Sequence, residues 1–131
     1  MILIDELQAI AQARLEDAKV LLANDRVDGA GYVCGYAVEL ALKARISRTL
    51  NWVGFPEKRA EFENLLSFKT HKLDVLLALS GQEQRIKSDH LIEWTAVATW
   101  DPEVRYKSVG KAQRPEVELM IQSAEGLLGV L

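Results

Sequence analysis

Cysteine is nearly absent from these 131 residues: Cys34 stands alone, which excludes an intramolecular disulfide and any cysteine-based zinc site. The two histidines, His71 and His90, form neither a His-x3-His nor a His-Glu-x2-His pattern, so no metal site and no cofactor is expected. Basic excess is also missing. Lys and Arg number 16 against 19 Asp and Glu, a net charge of −3, which argues against a general nucleic-acid binder while leaving room for a local basic patch. No apolar run approaches the ~18 residues of a membrane span. The opening Met-Ile-Leu-Ile-Asp-Glu-Leu has neither the basic start nor the apolar stretch of a signal peptide, so a cytoplasmic protein without a membrane partner is expected. Nothing alternates with period two for long enough to be a strand, and a glycine-rich phosphate loop between strand and helix is excluded with it. No Ser/His/Asp order stands out.

What is present is helix. With 49% hydrophobic residues, the chain suits a single domain, 1–131, with a substantial core. The stretch from Gly29 to Arg45 reads as a helix apolar most of the way round, with Ala30, Val33, Cys34, Ala37, Ala41 and Ala44 on one side and Val38, Leu42 and Ile46 widening it. Only Tyr32, Tyr36, Glu39 and Lys43 form a polar stripe. Such a helix is central and buried, its small residues admit close neighbours, and its stripe must be paired or must face a cleft or subunit interface.

Around it, Asp5 is expected to cap a first helix ending near Ala23, and the central helix runs from near Asp28 to Thr49. Asn51 to Pro56 is a turn-rich break, and Glu57–Leu66 has the composition of a short charged helix. Thr70 is placed to cap a third helix, His71 to Leu79, stopped by Ser80-Gly81. A fourth helix is expected from Gln82 to Trp100, with His90 on its apolar side. Asp101-Pro102 stops it, and Pro115 opens the last helix. The fold class is all-α, a bundle of four to five main helices with mostly short loops.

Four groups of residues carry chemistry. Glu39 and Lys43, spaced i, i+4, are an ion pair on the stripe, either a surface pair or a semi-buried one lining a cleft or seam with Tyr32 and Tyr36. His71 in a helix's first turn is held neutral by the partial positive charge there, and so is available as base or acceptor, or simply caps its helix. The segment Arg105-Tyr-Lys-Ser-Val-Gly-Lys-Ala-Gln-Arg114 carries four cations and no acid. Arg105, Lys107 and Lys111 offer charge to phosphates and Tyr106 a ring to a base, against the plain alternative of a solvated loop. Arg85 and His90 satisfy an Arg-x4–6-His spacing that arises easily by chance. A five-residue offset turns them to different faces of a helix.

Taken together, Arg14-Leu-Glu-Asp-Ala-Lys-Val-Leu-Leu, the Ala37-Val-Glu-Leu-Ala-Leu-Lys-Ala signature, Thr70-His71-Lys-Leu and Trp100-Asp-Pro-Glu-Val-Arg105-Tyr106 resemble the HEPN domain of prokaryotes over most of the chain. The resemblance implies an up-and-down bundle that commonly homodimerises. It also implies a two-component, often toxin–antitoxin, setting with a minimal nucleotidyltransferase as partner protein. Many such domains are metal-independent ribonucleases that use an Arg-x4–6-His motif across a dimer cleft. Here no histidine follows Arg105, and at Arg85/His90 an isoleucine, Ile86, stands where a polar residue is expected. Two readings follow: a nucleotide- or RNA-binding module with Arg105, Tyr106, Lys107 and Lys111 as contacts, or a ribonuclease using His71 and Arg105, alternatively Arg85 and His90, as catalytic residues.

Overall fold

The computed structural model describes residues 1–131. Four helices form the bundle: α1 (Ile4–Ala23), α2 (Val27–Thr49), α5 (Leu91–Val97) and α6 (Arg114–Val130), with short α3 (Leu73–Leu79) and α4 (Glu83–Asp89) between the second and third of them. The tight turn at Asn24–Arg26, with Asp25 at φ 60°, folds α1 back along α2, so that Leu21 lies beside Gly29. α6 runs parallel to α2: Val117 meets Gly31, the Cys34 thiol reaches the Met120 carbonyl, and Arg45 and Arg48 reach the Leu131 carbonyl. α5 runs against α6, placing Glu93 beside Gly126. The directions alternate down the chain, and the expected all-α, up-and-down bundle is the observed fold.

α2 is the central element. Eleven of its residues are buried, from Ala30 to Ser47. Cys34 is fully buried among them, and the apolar surroundings push its thiol up to about 12. The core also draws Leu7, Leu15, Leu76, Leu77, Ile86, Trp94 and Leu127 from the surrounding helices. Gly35 serves a different purpose from the close helix approach expected of it. Trp100 lies across it, in the space a Cβ would fill, and donates its indole N–H to the Tyr32 carbonyl at 3.2 Å.

Several boundaries differ from those the sequence suggests. Residues Ile2–Leu3 (β1) and Gly54–Phe55 (β2) pair antiparallel, a ribbon too short for any alternation to show. α1 begins at Ile4, so Asp5 sits inside its first turn rather than capping it. The expected helix over Glu57–Leu66 is replaced by 3-10 turns at Arg59–Phe62 and Leu66–Phe68, separated where Asn64 takes φ 64°, a conformation asparagine tolerates. The expected helix from Gln82 to Trp100 is two helices. It breaks at His90 (φ −134°, ψ 36°), after Ser88 and Asp89, residues that compete with helical hydrogen bonding. The stop at Ser80-Gly81 is observed, with Gly81 at φ 76°, and so is Pro115 in the first turn of α6; Asp101, expected as a stop, also caps the 3-10 turn that follows it.

Candidate functional site

Where α2 and α6 both begin, they enclose a cavity of about 490 Å³. Its floor is apolar and aromatic, made by Tyr32, Trp100, Val104, Val117 and Met120. Its rim is the 3-10 turn Pro102–Tyr106 and the loop that follows, which contribute Arg105, Lys107 and Lys111. Asp101 builds that turn by accepting the Glu103 N–H at 2.8 Å, and Pro102 fixes its first φ. Neither α2 nor α6 carries a side-chain cap, but each has an acid in its first turn, Asp28 and Glu116, that offsets the partial positive charge of the helix end.

The basic segment is thus brought to one place, though not every member joins. Arg105 donates to the Pro102 carbonyl at 2.9 Å and lies over the Tyr106 ring at 4.5 Å. The neighbouring tyrosine, then Glu103 and Tyr32, push its pKa further up. Tyr106 lies outside the cavity, with a face covered by Arg105, and the aromatic rings that line the cavity are Tyr32 and Trp100. Arg114 turns away to Asp25, Glu118 and the Leu22 carbonyl, where it ties α6 to the α1–α2 turn. Lys107 and Lys111 enter no ion pair. Two acids also line the cavity. Glu116 is unpaired, whereas Asp28 accepts the N–H groups of Gly110 at 2.7 Å and Ala112 at 3.0 Å, which hold its carboxyl below the usual carboxylate range.

The polar stripe of α2 leads out of this cavity. The Tyr32 and Tyr36 rings meet edge to face at 5.3 Å with their hydroxyls 3.4 Å apart, and Tyr36 packs on Trp100 at 4.9 Å. Burial, then Tyr32 and the Glu39 charge, push the Tyr36 phenol up to about 12, so it stays protonated. One turn further on, Glu39 is only 3% exposed, and both its oxygens are taken: Oε2 by Lys43 Nζ at 3.0 Å, Oε1 by His71 Nδ1 at 2.8 Å. The Lys43 ammonium lies 5.3 Å from the centre of the Phe55 ring.

His71 does not occupy a helix's first turn. α3 starts at Leu73, and Thr70 Oγ1 accepts the Lys72 N–H at 3.1 Å in a turn ahead of it. The helix-end reasoning therefore fails for this ring. What positions it is the Glu39 carboxylate, which only accepts, so Nδ1 carries the hydrogen, and Nε2 has no hydrogen-bond partner. The Glu39–His71 pairing was invisible in the sequence because 32 positions separate the two residues. His71 meets α2 at Glu39, whereas Arg105 acts on Tyr32 and Tyr36, one to two turns earlier on the same stripe.

The alternative pair is not assembled. Arg85 donates to Gln82 Oε1 and to the Val130 carbonyl, both at 2.7 Å, where it helps Arg45 and Arg48 hold the last turn of α6. His90 is half-buried at the α4–α5 break and shares no hydrogen bond with Arg85, so its expected place on a continuous apolar stripe is lost with the helix. No three His, Cys, Asp or Glu side chains converge to hold a metal ion, and no helix is long and apolar enough to cross a membrane.

No curated protein and no solved structure matches the chain. A family model, the HEPN domain, matches residues 4–131. That match covers every helix of the bundle and both the cavity and the stripe described above, and on it the chain belongs to the HEPN domain family.

Proposed function

We propose that this domain binds a nucleotide or a single-stranded RNA end in the cavity between α2 and α6. The supporting observation is the lining: aromatic and aliphatic side chains below, and three cations plus two uncapped helix starts above. An aromatic floor accepts a base face and the cationic rim accepts phosphate. The family adds a setting, a homodimer in a two-component, toxin–antitoxin type system with a nucleotidyltransferase. The face of half-buried Tyr32, Tyr36 and Lys43, with Glu39 buried beneath it, is the seam we assign to the dimer.

Ribonuclease activity is the second reading, favoured by His71, whose Nδ1 is fixed by Glu39 so that Nε2 is left as a base. His71 bonds Glu39 and does not line the cavity that Arg105 rims, and this places binding ahead. Titration of ADP and a short single-stranded RNA, in EDTA and followed by tryptophan fluorescence, tests both readings. Arg105→Ala and Lys107→Ala should each weaken binding about fivefold, as expected for a lost phosphate contact, with an unchanged helical melt. Recovery of intact RNA favours the binding module. Unaltered affinity in both variants removes the loop from the site, and cleavage abolished by His71→Ala establishes the ribonuclease.

A further inference from the structure

The rim loop is held in place by a single carboxylate. Asp28 accepts the N–H groups of Gly110 and Ala112, two donors that converge because Gly110 takes φ 88°. Successive N–H groups turned to one side make an anion-binding concavity. The cations beside it, Lys107 and Lys111, remain without an ion-pair partner, and no Lys or Arg pairs with Asp28 within ion-pair distance. The loop therefore has the donors of an oxyanion site, and its backbone donors are filled by a group from the protein itself, on the wall of the same cavity.

We propose that Asp28 is an internal competitor: its carboxylate occupies the phosphate subsite, and a ligand's phosphate enters by displacing it from Gly110 and Ala112. This rests on reading the cavity as a nucleotide site. In the exchange two N–H groups pass from one oxyanion to another, the Asp28 carboxylate is released to water, and Lys107 and Lys111 gain a partner. The affinity observed in the native chain is then the intrinsic affinity multiplied by the fraction of molecules in which Asp28 has let go. The latch keeps the loop ordered in the empty protein and sets a threshold concentration for the ligand.

Pyrophosphate and ADP are titrated calorimetrically into the native chain, Asp28→Asn and Asp28→Ala, with circular dichroism to confirm the fold and amide spectra to follow Gly110 and Ala112. Removing the competitor should tighten pyrophosphate binding at least about threefold in both variants. In the native chain, saturating pyrophosphate should shift both amide resonances. Equal or weaker pyrophosphate binding by folded variants overturns the proposal and makes Asp28 a support for the loop. Measurable ADP binding that is equal in all three proteins, together with equal pyrophosphate binding, overturns it while leaving the nucleotide reading intact. Tighter pyrophosphate binding with no added affinity for ADP keeps the competitor and removes the nucleoside. Absence of binding to any of the three proteins overturns both.

Discussion

Glu39 is the side chain whose chemistry most constrains its neighbours. Placing a carboxylate on the central helix carries a desolvation cost that only paired oxygens offset, and Lys43 with His71 supplies that pairing. Glu39→Ala leaves the Lys43 ammonium beside Phe55 without its anion. The expected destabilisation is about 1–3 kcal/mol, below the range for a fully buried pair because Lys43 retains a path to solvent. Chemical denaturation of Glu39→Ala and Lys43→Met measures it. Lys43→Met, which leaves the more deeply buried Glu39 carboxylate with His71 alone, should cost at least as much, and near-neutrality of that variant would show that the pair adds no net stability. Residue types and spacing alone made Glu39 and Lys43 legible as a pair. The third member was not, since His71 comes from a different segment and the local rule that seemed to explain it, a helix start, points to the wrong physics.

Among the elements, α2 carries the argument furthest. Its apolar breadth marks it as central before any coordinates are consulted, and it is legible to within a residue at its start. Its glycines are less transparent. Gly35 exists for Trp100, 65 positions on, and an added methyl would overlap the indole. Gly35→Ala should cost about 1–3 kcal/mol by overpacking and should displace Trp100 from the Tyr32 carbonyl and Tyr36 ring. Near-ultraviolet circular dichroism reports that displacement separately from the thermal melt, and an unchanged near-ultraviolet spectrum would disprove it. The short elements were the least legible: the β1–β2 ribbon offers two residues per strand, and the break at His90 has no proline or glycine to announce it. In both places tertiary partners decide what local propensity leaves open.

For the molecule as a whole, the fold class and the gathering of Arg105, Lys107 and Lys111 were readable in the sequence, because periodicity and charge contrast are local signals. The cavity floor was not, because Trp100, Val117 and Met120 meet only once α5 and α6 close on α2. That arrangement predicts a modest salt dependence. With three rim cations engaging up to three phosphates, the logarithm of RNA affinity should fall with the logarithm of salt at a slope no steeper than about −2. Binding measured from low to moderate salt checks it, and a much steeper slope would require a basic surface this acidic protein does not have.

The parallel course of α2 and α6 has one last consequence, for approach rather than for affinity. α2 and α6 point their amino ends the same way, with α1 and α5 running against them, and the carboxyl end of α6 is held by Arg45, Arg48 and Arg85. The arginines quench the negative pole of α6, while at the amino ends three cations, Arg105, Lys107 and Lys111, outnumber the two first-turn acids, Asp28 and Glu116, around the cavity. A protein of net negative charge thereby acquires a direction: an incoming polyanion is repelled by most of the surface and drawn to one end, so that encounters are pre-oriented before any side chain makes contact.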